Sequence, residues 1–231
     1  MKRILAGAVL VLSVTTVSGG FEEGVVAYNQ GDYATAMAEW RPLADKGVAS
    51  AQYNIGLMYM NGQGVDKDIV TAVNWMRKSA EGGDRDAQLA VGLMYRKGQG
   101  IPQDDFEAVN WFRAAAEQGN TDAALQLAMA YQEGRGTVLN NEQASQWFSH
   151  AAENQNAEAQ YWLGRNLLFG KGVERDPIRG YAWLSLAAAA LVKDATKLRD
   201  FAREQLNYNQ VIEAQELSRE MWEEYGPKPK N

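Results

Sequence analysis

The chain has a single histidine, His150, with two hydroxyls, Ser145 and Ser149, close by in sequence. A serine beside an imidazole is the start of a nucleophile and base pair, but a third group must orient the ring before it can work. No orienting residue stands at a recognisable spacing. His150 also occupies a position filled by Lys78 and Ala114 in equivalent segments, so it reads as a surface or groove residue. A serine activated by a lysine three positions on is missing too, since Ser79, Ser145, Ser149 and Ser185 are followed there by Gly82, Phe148, Ala152 and Ala188. With no cysteine there is no thiol nucleophile, disulfide or thiolate metal site, and one histidine excludes a multi-histidine metal centre.

Three further patterns invite a chemical reading and lose it on inspection. Gly98-Gln99-Gly100 suggests a phosphate cradle, yet it lacks the following Lys-Ser/Thr pair and the preceding strand, and it recurs along the chain as a turn would. Glu22-Glu23 and Asp104-Asp105 suggest paired acid and base groups, but neighbouring helical carboxylates point in different directions. The second pair suits a helix start. Trp75, Trp111, Trp147 and Trp183 could stack on sugars, but their place in one repeated slot predicts core packing, and Trp111→Ala then costs roughly 3 to 5 kcal/mol if that ring is buried. The sequence therefore assigns no catalytic, cofactor-binding or metal-binding residue, and the chain is read as not an enzyme.

These residues are positioned by a 36-residue period, visible in the slots Gly62, Gly98, Gly134, Gly170 and Gly64, Gly100, Gly136, Gly172. A fixed period of this length marks a solenoid, whose units bury their apolar faces against one another. Ala87, Val91, Gly92 and Tyr95 fall on one face of a helix. Gly98 ends that helix with a left-handed cap, and Gly100 lets the chain reverse. Asp32, Asp68, Asp104, Asn140 and Asp176 share the slot that starts the second helix, where a side-chain oxygen accepts from free backbone N–H groups. Three residues on, Glu107 and Gln143 are placed to complete capping boxes. The predicted fold class is all-α: an α-solenoid of antiparallel helix pairs.

Composition and order fill in the rest. A hydrophobic content of 46% supplies a core, which excludes global disorder, and a net charge of −6 argues against nucleic acid. Lys2 and Arg3 before the apolar run from Ile4 to Val14 have the layout of a cleavable signal peptide over residues 1–20. The run is short for a membrane span, so none is expected after cleavage. A degenerate first repeat covers 21–47. Four regular copies follow at 48–83, 84–119, 120–155 and 156–191, then capping helices over 192–225 and a disordered tail at 226–231.

Ala51-Gln52-Tyr53-Asn54-Ile55-Gly56-Leu57-Met58-Tyr59, with Gly62-Gln63-Gly64-Val65 and Ala72-Val73-Asn74-Trp75, closely resembles the Sel-1-like repeat, a relative of the tetratricopeptide repeat with a longer interhelical turn. The shorter turn at Gly31-Asp32-Tyr33 looks more like an ordinary tetratricopeptide unit. The resemblance implies a right-handed superhelix that binds proteins or peptides, often in the bacterial envelope. It also implies that the first helix of each pair, helix A, faces a concave groove, with the second, helix B, behind it. By that resemblance the inward slots hold Ser50, Tyr53, Leu57, Met60 and Asn61; then Asp86, Leu89, Leu93, Arg96 and Lys97. The third copy offers Asp122, Leu125, Met129, Gln132 and Glu133, and the fourth Glu158, Tyr161, Arg165, Leu168 and Phe169.

From these the expected partner-binding residues are Tyr53, Leu57, Met60, Leu89, Leu93, Arg96, Met129, Gln132, Tyr161 and Arg165. The alternative is that Leu57, Leu93 and Met129 only pack against the neighbouring helix A. The expected function is a non-enzymatic protein-binding scaffold of the cell envelope, periplasmic or secreted, monomeric and without cofactors. Some cysteine-rich members of the resembled family are linked to β-lactam binding or hydrolysis, which this cysteine-free chain does not favour. Regulation of a sensor kinase through its periplasmic domain is a special case of the binding reading.

Overall fold

A computed structural model of the chain describes residues 19–226, so the expected leader, apart from Gly19 and Gly20, and the tail beyond Gly226 lie outside the described residues. Within them the chain is helical, with no strand. Helix α1 covers 19–29, followed by α2 (Tyr33–Asp45), α3 (Ala49–Asn61), α4 (Ile69–Glu81), α5 (Arg85–Lys97), α6 (Asp105–Glu117) and α7 (Thr121–Glu133). Next come α8 (Asn141–Glu153), α9 (Ala157–Phe169), α10 (Pro177–Ala189), α11 (Ala195–Glu204) and α12 (Tyr208–Tyr225). The described residues up to Asp104 form one compact unit and those from Asp105 another. Inside each unit successive helices pack in pairs: α2 on α3, α3 on α4 and α4 on α5; then α6 on α7 and so on to α10, which also carries α11 and α12.

The starts and stops follow from local chemistry. Asp68 accepts from the N–H groups of Val70 and Thr71, Asn140 from Gln143, and Asp176 from Arg179. Gly62, Gly98, Gly134 and Gly170 close helix A in the left-handed region, with φ of 70°, 65°, 67° and 68°. The expected capping box at Gln143 is not formed. Its side-chain amide donates to Gln146 instead, and the Asn140 N–H that it would have bound already donates to the Tyr131 carbonyl at 2.9 Å. The N–H groups of Asp68, Asp104 and Asp176 are held in the same way by the carbonyls of Tyr59, Tyr95 and Leu167. The long turn fastens the restart to the helix it has just left, which at Asn140 engages the donor that a box with Gln143 needs. In α12 a box is formed, between Asn207 and Gln210.

The tryptophan slot is not the deepest part of the core. Trp75, Trp111 and Trp147 are half-buried, while the adjacent slot, Met76, Phe112, Phe148 and Leu184, is sealed at 0 to 1% exposure. Successive helical residues are turned by about 100°. Only one of the two positions can therefore face the partner helix squarely, and the tryptophans lie on the flank. Trp75 there meets Lys78 Nζ at 4.6 Å and the Arg41 guanidinium at 5.3 Å from its ring centre, a cation–π arrangement. Trp183 alone of the four is buried, because Tyr225 of α12 covers it with ring centres 5.2 Å apart.

The glycine that ends helix B, seen in Gly47, Gly83 and Gly119, is replaced in the next two copies by Gln155 (φ 66°) and Leu191 (φ 61°). An L-residue held there is strained by roughly 1–2 kcal/mol. Gln155→Gly is therefore expected to stabilise the chain by about 0.5 to 1 kcal/mol, after the entropy glycine adds to the unfolded state. Thermal unfolding followed by circular dichroism checks this, and an unchanged or lower midpoint refutes it.

Candidate functional site

The expected binding residues lie on helix A of each pair, and all ten are half-buried. In the first unit, α3 presents Tyr53, Leu57 and Met60 along one face, and α5 presents Leu89, Leu93 and Arg96 at the same register. Their neighbours on the expected face divide cleanly: Ser50 is half-buried, whereas Asn61, Asp86 and Lys97 are exposed. The result is an apolar strip with a polar edge. Burial pushes the pKa of the Tyr53 hydroxyl above its ordinary value near 10, and the carboxylates of Asp86 and Asp84 push it further.

Tyr53 is thus a neutral hydrogen-bond donor across the physiological range. Its raised value has a defined consequence. The stability that depends on the neutral phenol is fully present below the unfolded pKa near 10 and is lost as pH rises through the higher folded one. In an absorbance titration of phenolate, the step removed by Tyr53→Phe is expected above the bulk tyrosine transition, and Asp86→Asn is expected to move it down. A Tyr53 step at or below the ordinary value overturns this.

In the second unit, α7 presents Met129 and Gln132, and α9 presents Tyr161 and Arg165. Leu125 and Leu168, placed by the sequence on the inward face, are instead core residues at 4% and 1% exposure. Leu168 is covered because α11 and α12 follow the last pair. It belongs to the buried cluster of Tyr181, Leu184, Ala202 and Ala214, and Tyr161 packs on that cluster and on Ala187, Ala188 and Ala195. Tyr161 therefore spends part of its surface on the end of its own chain. Arg165 lies over the ring of Trp162 at 5.3 Å, and that ring stacks on Phe148 at 6.0 Å.

Trp162 escapes a reading of the sequence by its period because it departs from that period: its slot holds Asn54, Ala90 and Gln126 elsewhere. That break in the repeat is the available signal. Its indole N–H and the side-chain oxygen of Gln132 are both buried without a hydrogen-bond partner among the described residues. Such buried orphan groups carry an energetic cost, which the Trp183 indole N–H and the Asn166 side-chain oxygen share.

The histidine and serines do not assemble. His150 is exposed and meets Trp147 edge-on at 5.7 Å. Ser149 Oγ donates to Glu153 Oε1 at 2.8 Å, while Ser145 Oγ donates to the Lys171 carbonyl and accepts from Asn166. A cavity of about 640 Å³ beside these serines is lined by Glu174, Arg175, Asp176 and Arg179, and His150 is not among its walls. Among the described residues no group of three or more histidine, aspartate or glutamate side chains could hold a metal ion.

Paired helices, a left-handed glycine cap after each helix A and a second glycine in each turn define a repeat scaffold. Four stretches, residues 49–84, 85–120, 121–156 and 157–190, match the Sel1 repeat, and the chain belongs to that family. Its structure is similar to that of a protective antigen present in uropathogenic Escherichia coli strains, which displays an SLR fold. The two share 30% identity and a TM-score of 0.80, covering 93% of this chain and 49% of the antigen. This chain thus spans about half the length of that protein. It is also similar to a Sel1 repeat protein from Oxalobacter formigenes, with 28% identity and a TM-score of 0.76 over 91% of this chain and 93% of the other. No curated protein matches the sequence.

Proposed function

We propose that the chain is an exported, non-enzymatic scaffold of the cell envelope, periplasmic or secreted, that binds a protein or peptide on its helix A faces. The observation that carries this reading is the half-burial of all ten non-periodic helix A side chains, which leaves apolar, aromatic and arginine surface beside the repeat core. Aromatic, methionine and arginine side chains supply much of the energy of protein interfaces. Membership in a family whose proteins generally serve as interaction scaffolds supports the same reading. Export rests on the basic and apolar pattern of the first twenty residues. The mechanism is occupancy: a pre-formed strip captures a segment of the partner, and capture sequesters or positions it.

The test is quantitative capture from envelope extract by the wild-type chain and by the Leu93→Asp/Arg96→Glu variant. Because both side chains are half-exposed, the variant is expected to remain folded and to lose at least ten-fold of the partner recovered. Equal recovery, with circular dichroism confirming the fold, removes these helix A residues from binding.

A further inference from the structure

The last helix has two faces, and the fold uses only one. Toward α10 and α9 it buries Ala214 and Met221, sets Tyr225 on Trp183, and offers the Tyr225 carbonyl to the side-chain amide of Gln160 at 3.0 Å. The helix that closes a solenoid is expected to be polar on its outer side. That of α12 is not. Tyr208, Ile212 and Trp222 are 81%, 40% and 44% exposed. With Gln215 and Arg219 they recur at alternating intervals of four and three residues, the spacing of a straight helical seam. The seam runs for about 20 Å.

Two features say what would cover it. At the Trp222 end a recess of about 400 Å³ opens between α10 and α12, walled by Ser185, Leu186, Ser218, Arg219, Trp222 and Glu223. It has room for one large apolar side chain. Alongside the seam, one position on, runs an exposed row of Glu213, Glu216, Glu220 and Glu223, none of which has an ion-pair partner among the described residues. A second copy of the chain fits poorly, since like rows of carboxylates would face each other in a net acidic protein. A complementary helix, with an apolar seam and basic flanks, satisfies both features at once.

We propose that the outer face of α12 docks a basic amphipathic helix of a partner protein, seating one apolar side chain in the Leu186–Trp222 recess and its lysines or arginines along Glu213, Glu216, Glu220 and Glu223. This site is separate from the helix A faces and does not rest on them.

The probe is a fluorescein-labelled 18-residue peptide of leucine, lysine and alanine, with leucines on a single seam and net charge +6. It is compared with a scrambled peptide of the same composition and with a glutamate-for-lysine version. Anisotropy titrations with the full chain are expected to show binding of the basic helix at least ten-fold tighter than of either control. Glu216→Lys/Glu220→Lys is expected to weaken it at least ten-fold and Trp222→Ala at least five-fold, with Trp222→Phe retaining most of it. Leu93→Asp/Arg96→Glu leaves it unchanged, which separates this site from the helix A reading. Equal binding of the scrambled peptide, or undiminished binding by the charge-reversed variant, overturns the proposal. So does a dimer of the chain alone that Trp222→Ala dissolves, which would give the face to a second copy. A ten-fold gain in peptide binding on Lys228→Glu/Lys230→Glu would give the face to the chain's own end and overturn the proposal as well.

Discussion

Phe148→Ala is expected to lower the stability of the chain by about 3 to 5 kcal/mol, while Trp111→Ala costs about 1 to 2 kcal/mol. The two residues stand on neighbouring positions of the same repeated helix, and on residue size alone the tryptophan would be the larger loss. Burial reverses that order. Phe148 is fully enclosed and stacks on Trp162 at 6.0 Å, so its removal leaves a cavity between α8 and α9 that neither helix can close by itself. Trp111 is half-buried, and solvent replaces part of what its ring contacted. For a chain of this size the Phe148 variant should melt about 10 °C lower. Urea unfolding of both variants gives the comparison directly, and equal losses would mean that the two slots share the core.

The fold was legible because a solenoid writes its geometry into every copy. The glycines at Gly62, Gly98, Gly134 and Gly170 and the acidic or amide caps at Asp68, Asn140 and Asp176 each announce a helix boundary, and each boundary is where the spacing places it. Depth was harder to read. Trp75 and Met76 are both apolar and adjacent, and only the packing of the neighbouring helix decides that Met76 is sealed while Trp75 stays half-open to its cation partners.

The candidate site was less legible for a related reason. Leu125 and Leu168 belong to the inward register by sequence, yet the terminal helices over the last pair draw Leu168 into the core, and no periodicity encodes that covering. Trp162 and the outer seam of α12 escaped for the opposite reason. They are the places where the period fails, so a reading built on the period passes over them. In a repeat protein the shared residues describe the scaffold, and the exceptions are where a partner can be told apart from any other.

The second glycine of each turn carries the other large effect, for a cause the spacing did not reveal. A Cβ built on Gly172 runs into the backbone carbonyl of Asn141 at the start of α8, and one on Gly136 into that of Asp105 at the start of α6. Gly64 and Gly100 approach Tyr33 and Ile69, again the first residues of α2 and α4. So these glycines do more than reverse the chain: each presses its turn against the helix B of the preceding copy and, within its unit, fixes the step from one copy to the next. Gly172→Ala is therefore expected to cost about 3 to 5 kcal/mol, from the left-handed backbone and from a collision with main chain that no rotamer change relieves. Gly170→Ala, two residues away with φ of 68° but with the Arg175 Cβ at 3.2 Å as its nearest neighbour and that residue's backbone at 3.7 Å, should cost about 1 to 2 kcal/mol. The contrast isolates the contact from the dihedral angle. Should denaturant unfolding find the two variants equally stable, the stacking of turn on helix would have to be held elsewhere, and the reason for that glycine would revert to the turn alone.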